Sequence, residues 1–282
     1  MEKTTDWAAL WRELVQAHAR GREAAGHGKE EDFWRLKARD FDDAIRRRWT
    51  RPDSLREFIA SRLDAGCTVL DIGAGTGAWA ALIARRARMV TAVEPSSAMI
   101  EVLRERLDAE SIRKVEIVQG RWPEVEVAPH DYSFCSHAMY DSADLPSFIR
   151  RMEDLTRREC YLLMRVPLLD SVMAEAAMLV WGQPHDSANV VVAFNVLVQM
   201  GISPNILMEE SDPWEPWTHP TLEDALSEIK WRLDIVGSKK HDDLLTAILR
   251  RRLTYCDGRY EWPPSTRSAL LYWPAPRHGK SK

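Results

Sequence analysis

The sequence predicts an α/β fold, a mostly parallel sheet with helices on both faces, carrying extra N-terminal helices and a helical insertion. Three observations predict it. Short apolar runs alternate with amphipathic segments from Thr68 to Val166. The first run leads into alternating glycines, Gly73, Gly75 and Gly77. The second ends in a carboxylate, Glu94. Alternation of this kind implies right-handed crossovers, so the strands run parallel and are covered on both faces.

The first elements are helical. Trp7, Leu10, Trp11, Leu14, Val15 and His18 recur at helical spacing and form one apolar stripe. A break is expected at Gly21 to Gly28. A second helix carries Phe33, Trp34, Phe41, Ile45 and Trp49 and ends before Pro52, and a third covers Ser54 to Leu63. Residues 1–52 read as an N-terminal helical cap on a core spanning 53–282.

Within the core the predicted strands are Thr68–Ile72, Met89–Val93, Val115–Gln119, Tyr132–His137 and Cys160–Val166. The predicted helices are Gly77–Ala87, Ser97–Leu107 and Leu145–Arg157. After Pro167 the rhythm breaks. Residues 168–220 hold apolar helical segments, Val172–Trp181 and Ala188–Met200, then a stretch rich in proline and tryptophan through Pro213, Trp214, Pro216 and Trp217. This is the expected lid-like insertion. Leu222–Leu233 and Leu244–Leu253 are helical again. Gly258–Trp262 and Ser268–Trp273 read as a terminal antiparallel hairpin.

Composition narrows the functional classes. The net charge is only −4, which gives no general electrostatic grip on DNA or an anionic membrane. The Arg46-Arg47-Arg48 run reads as a solvated helix face. Four scattered cysteines form neither a disulfide framework nor a metal-ligand spacing. His185 and His219 lack cysteine or carboxylate neighbours at ligand spacing, so no metal site is expected. The N-terminus reads as an amphipathic helix, and no apolar run approaches the ~20 residues of a membrane span. The expected compartment is the cytoplasm.

The chemistry concentrates in Val69-Leu70-Asp71-Ile72-Gly73-Ala74-Gly75-Thr76-Gly77. Glycines let the backbone turn sharply and let a ligand approach with no Cβ in the way. In an open α/β sheet nucleotide ligands sit here, beyond the carboxyl ends of the strands. Glu94 closes the second strand, in Val93-Glu94-Pro95-Ser96, where a carboxylate can accept from both hydroxyls of a ribose. Gly73, Gly75 and Ala78 also satisfy a loose dinucleotide pattern. Asp71 argues against it, since a carboxylate there repels a pyrophosphate and favours a ligand with a positive centre.

Asp71 to Gly77 together with Glu94 resembles the signature of class I, Rossmann-like S-adenosylmethionine-dependent methyltransferases. The similarity covers Thr68 to Val166. It implies a sheet in the order 3-2-1-4-5-7-6, closed by the terminal antiparallel pair, and S-adenosylmethionine as cofactor. By position, the resemblance sets Asp71 near the cofactor's amino-acid moiety, Gly73, Ala74, Gly75 and Gly77 beneath it, and Glu94 with Pro95 at the ribose. One departure stands out. The family commonly has an acid after the third strand for the adenine amine, whereas this chain has Arg121 in Gln119-Gly120-Arg121-Trp122. Arginine cannot accept from an amine. Adenine is then left to backbone groups and to apolar contact with Trp122 or Met99.

Methyl transfer is an in-line displacement that gains from holding the nucleophile against the methyl and excluding water. The acceptor must lie over the end of the fourth strand, where His137 and Tyr140 are candidates for orienting it or taking its proton. The Asp141-Ser142 that follows is unlike the Pro-Pro-aromatic segment of enzymes that methylate exocyclic base amines, so no DNA acceptor is expected. Twelve tryptophans, with Trp181, Trp214 and Trp217 in the insertion, suit either an apolar acceptor pocket or simple packing. The reading is a methyltransferase for a small-molecule acceptor. Two other readings stand beside it: a binding or regulatory protein that keeps only the cofactor site, and a protein methyltransferase.

Overall fold

The computed structural model describes residues 5–26, 30–209, 215–264 and 266–276, with the backbone alone at 30–33 and 36. Phe33, Pro213 and Trp214 therefore lie outside the described side chains. The apolar stripe of the first segment folds as α1 (Trp7–Ala24), followed by α2 (Glu30–Trp49) and α3 (Ser54–Arg62). Asp6 and Asp53 cap α1 and α3 by accepting first-turn amides. The expected break falls after Ala24, with Gly21 still inside α1. A Cβ there would lie 1.7 Å from the Trp231 carbonyl oxygen, so this glycine serves close helix approach rather than a turn.

The strands are β1 (Thr68–Ile72), β2 (Met89–Glu94), β3 (Val115–Gln119), β4 (His130–Ser136) and β5 (Thr156–Pro167), all parallel. They are joined through α4 (Ala78–Ala84), α5 (Ser97–Ala109), and α6 (Leu145–Asp154). The expected helix to Arg157 ends early because Thr156 already belongs to β5; its Oγ1 donates to the Met152 carbonyl at 2.6 Å.

Beyond β5 lie α7 (Val172–Trp181), α8 (Val190–Gln199), β6 (Asn205–Met208), β7 (Thr218–His219), α9 (Leu222–Arg232), α10 (Asp242–Arg252), β8 (Thr254–Cys256), β9 (Arg259–Glu261) and β10 (Thr266–Pro274). The main sheet has the order β3-β2-β1-β4-β5-β10-β6, with β10 antiparallel to both neighbours. This is the expected arrangement, but its antiparallel edge is not a terminal hairpin. The partner of β10 is β6, from within the stretch 168–220. The segment Arg259–Glu261 instead joins β7 and β8 in a separate three-stranded sheet. Trp262 fixes that choice. Its buried indole donates to His219 Nδ1 at 2.9 Å, and its amide donates to the Trp217 carbonyl at 2.9 Å.

Side chains alternate across β1, so Val69 and Leu70 fall in different cores. Leu70, Ile72, Cys135 and Leu162 pack with α6, α8 and with Trp11 and Leu14 of α1. Val69, Val90, Phe134 and Tyr161 pack with α3 and α4. A third cluster joins α7, α9, α10 and Trp262. The cysteines Cys67, Cys135 and Cys160 are buried thiols within this packing. Among the described residues no helix is long and apolar enough to cross a membrane.

Candidate functional site

The loop after β1 has the shape its glycines allow. Gly73, Gly75 and Gly77 take φ values of +70°, +56° and +80°. The amides of Gly73 and Ala74 both donate to the Val93 carbonyl, at 2.8 and 3.0 Å, which ties the loop to the end of β2. A Cβ on Gly73 would come within 2.1 Å of the Ala138 Cβ, so this glycine lets the loop press against the end of β4. Above Gly75 there is open space.

Two acids meet at this loop. The Glu94 carboxylate accepts the Gly75 amide through Oε2 and the Ser96 amide through Oε1, both at 2.9 Å. Asp71 is buried one strand away, and its Oδ2 has no hydrogen-bond partner among the described residues. Burial, reinforced by the Glu94 charge, pushes the Asp71 carboxyl up to about 7. A buried acceptor with no donor is costly, and a nearby cation relieves that cost.

At the end of β4 the backbone of His137 turns through φ 55°, aiming its ring at Tyr140 on a single 3-10 turn, Met139–Asp141. His137 Nδ1 lies 3.1 Å from the Tyr140 hydroxyl, which accepts the Arg165 amide at 2.7 Å. Burial, then the charges of Arg48 and Arg165, lowers the His137 pKa to about 3, so the ring is neutral at neutral pH. Burial raises the Tyr140 phenol to about 12. Neither group is matched to proton transfer near neutrality. Both are fixed, neutral hydrogen-bonding groups.

The remaining predicted residues separate. Ala74 is buried in the loop and Pro95 is exposed beside Glu94. Arg121 is exposed after β3. Met99 is buried against Ala38 of α2 and Val102. Trp122 is buried in the core beneath α6, its indole donating to the Phe148 carbonyl at 3.2 Å. In this position the ring supports the loop after β3 from below. Trp217 packs on Trp262 with ring centroids 5.3 Å apart, and Trp181 joins the cores.

Sequence reasoning missed how the N-terminal helices bind to this region. Arg106 of α5 donates through Nε to the Thr76 carbonyl at 3.0 Å and also pairs with the buried Asp42 of α2. Burial opposes ionisation of Asp42, but hydrogen bonds from Arg46, Thr76 and Arg106 hold its carboxyl below the ordinary value. Arg48 donates to the buried Glu209 at 3.1 Å and to Ser268 at 3.2 Å. The arginine run is thus not simply a solvated face. The Asp42-Arg46 spacing of four was a visible signal, but it reads equally as a surface pair. Helix α2 therefore crosses the carboxyl ends of the strands, from α5 to β10. On the other side α1 packs against α8 and α9, and Trp11 donates to the Ser142 carbonyl at 2.8 Å, beside the Tyr140 turn.

Residues 69–159 match a family model described as a methyltransferase domain. Among curated proteins, the chain is 35% identical over 83 residues to magnesium-protoporphyrin O-methyltransferase of Rhodobacter capsulatus, covering 28% of this chain and 37% of that protein. It is 43% identical over 65 residues to a protein of Methanosarcina mazei named as a probable ribosomal RNA small subunit methyltransferase A, covering 23% of each. This chain thus spans under two fifths of the curated relatives it matches. The fold resembles BH2331 of Bacillus halodurans, with a TM-score of 0.53, 15% identity, and 79% and 98% of the two chains covered. It also resembles YcgJ of Bacillus subtilis, with a TM-score of 0.51, 14% identity, and 78% and 97% covered.

Proposed function

Because residues 69–159 form a class I, S-adenosylmethionine-dependent methyltransferase domain, we propose that this protein transfers the cofactor's methyl group to a small-molecule acceptor held beneath its helical cap. The observation that carries the reading is Asp71 Oδ2, a buried carboxylate oxygen without a donor beside a glycine loop with open space above Gly75. S-adenosylmethionine fits that environment: it brings positive charge near the acid and a ribose near Glu94, and its slender amino-acid part suits a loop without side chains.

When bound, the cofactor supplies an electrophilic methyl on a sulfonium. The chain's own residues do the positioning. Asp71 and the loop of Gly73, Ala74, Gly75 and Gly77 hold the charged end, and Glu94 holds the sugar with Pro95 at its rim. Met99 and Arg121 border the adenine side, with Trp122 supporting the loop there from the core. Ala138 seats the end of β4 against Gly73, so His137 and Tyr140 stand next to the reacting region. With its pKa lowered to about 3, His137 orients the acceptor rather than taking its proton. Helices α1 and α2 and the segment 168–204 exclude water from the acceptor, which favours a small molecule over an open macromolecular surface.

The test has two parts. Calorimetry with S-adenosylmethionine and S-adenosylhomocysteine should give saturable binding to well-folded protein. Labelled methyl from the cofactor should then pass to an acceptor in a small-molecule extract. Absence of binding by both nucleosides sinks the reading. Binding without transfer to any small molecule leaves a cofactor-binding protein.

A further inference from the structure

Between α1, α9 and the ends of β4 and β5 stand two arginines whose charges the steps above do not use. Arg232, in the last turn of α9, is stacked between two indoles, its guanidinium carbon 4.1 Å from the Trp217 centroid and 4.5 Å from that of Trp231. Its Nε donates to Glu228 at 2.6 Å. Its two terminal NH2 groups meet no acceptor among the described residues, although only 15% of the side chain is exposed. Burial is the main cause holding its pKa below the ordinary value.

Arg165 approaches from the end of β5. Its Nε and Nη2 both donate to the Ala188 carbonyl, at 3.2 and 3.1 Å, and its guanidinium carbon sits 4.9 Å from the Tyr140 ring centroid. No carboxylate pairs with it among the described residues. Its charge bears on Arg232, His18 and His137, so these groups share one neighbourhood. His18 packs edge-on to Trp231 at 4.9 Å, and burial with the two arginine charges holds it neutral. Asp186, whose charge also bears on Arg232, has a buried Oδ1 with no donor among the described residues.

Neighbouring arginine charges, one with both terminal NH2 groups lacking a protein acceptor and the other with no carboxylate partner among the described residues, are electrostatically unfavourable unless something anionic completes them. A guanidinium fork matches the planar or tetrahedral oxygens of a carboxylate or phosphate, and the flanking indoles favour a flat, apolar body. Resting on the methyltransferase reading, we propose that the acceptor is a small oxyanion-bearing molecule, its anionic group clasped by Arg165 and Arg232 against Trp217 and Trp231. Asp186 offers an acceptor to a hydroxyl or amine elsewhere on the same molecule. Because Arg165 also anchors Tyr140, the anion site adjoins the reacting region.

Calorimetry on protein saturated with S-adenosylhomocysteine tests this, using benzoate, phenyl phosphate and neutral benzamide as probes. At least one anion should bind about tenfold or more tightly than benzamide, the scale of one charge-assisted hydrogen bond. Which anion wins distinguishes a carboxylate acceptor from a phosphate one. Arg232→Met and Arg165→Met should abolish that preference while S-adenosylhomocysteine affinity stays unchanged. Equal binding of all three probes, or an anion preference that survives both substitutions, overturns the proposal. If either variant fails to fold, the selectivity of the unaltered protein decides alone. Failure of S-adenosylhomocysteine to bind strikes the methyltransferase reading, and repeating the anion titration without it then judges the arginine pair separately.

Discussion

The Glu94 carboxylate accepts the Gly75 amide at 2.9 Å, joining the end of β2 to the middle of the glycine loop across 19 residues. Its other oxygen accepts the Ser96 amide, also at 2.9 Å, so a single acid sets both the loop and the first turn after β2. A carboxylate oxygen can accept more than one hydrogen bond, so this structural role is compatible with gripping a ribose.

Glu94→Gln separates these bonds. An amide side chain has one acceptor oxygen, so either Gly75 or Ser96 must face its NH2 group. Leaving one such donor buried and unpaired should cost about 1–3 kcal/mol in urea unfolding. Cofactor affinity should fall by about tenfold or more, since a charge-assisted acceptor is lost from the sugar. Calorimetry that finds the affinity unchanged confines Glu94 to a structural role.

Gly73 and Gly75 should respond differently to alanine. At Gly73 a Cβ collides with Ala138 and the backbone is left-handed at φ +70°, so Gly73→Ala should lose at least about 2 kcal/mol of stability. At Gly75 the Cβ meets nothing and only the left-handed backbone is penalised, by about 1 kcal/mol. Its new methyl occupies the space assigned to the cofactor, so affinity should drop by about one to two orders of magnitude. Thermal melts with and without S-adenosylhomocysteine distinguish the two effects.

How far the sequence discloses this molecule depends on how local each determinant is. The strands from Thr68 to Pro167 and the glycine loop are encoded in contiguous apolar runs and in glycines, which take positive φ without steric cost. The antiparallel edge was misplaced because pairing between β6 and β10 depends on partners some sixty residues apart. Local pattern cannot distinguish that pairing from a hairpin with Gly258–Trp262. The burial of Trp122, the reach of Arg106 to Thr76 and the stacking of Arg232 are likewise tertiary facts. In the sequence, Arg232 is one more basic residue at a helix end, where dipole complementarity alone would account for it. The site's backbone was therefore legible, and the polar groups brought to it by distant helices were not.

Tyr140→Phe tests the acceptor side. The substitution strips the Arg165 amide of its 2.7 Å acceptor and removes the hydroxyl from His137 Nδ1. His137 then loses this hydrogen bond at the point where the acceptor must be aligned. Turnover should fall about 10- to 100-fold, as expected when a reacting group is misplaced by a fraction of an ångström to an ångström. S-adenosylhomocysteine affinity should not move, because the tyrosine lies beyond the loop. A variant with full kcat and an unaltered KM removes Tyr140 from the positioning machinery.

Asp71 sets stability against function. Its carboxyl is raised to about 7 in the folded chain from an ordinary value near 3.8, so the native state holds the proton that the unfolded state releases. The stabilisation from neutral Asp71 is therefore complete below the unfolded value and is lost as pH rises through about 7. Asp71→Asn should remove that dependence and make the protein more stable at pH 8, by an amount on the order of a few kcal/mol. On the proposed reading, the same change removes the negative charge that faces the positive centre of S-adenosylmethionine. Binding should release a proton below about pH 7 in the native protein, and affinity should climb with pH through that range. The asparagine variant should lack this component of the proton release. Titration in buffers of different ionisation enthalpy measures it directly, with the variant subtracting the cofactor's own amine. A variant that binds the cofactor as tightly as the native chain, with identical proton release, places the positive charge away from Asp71.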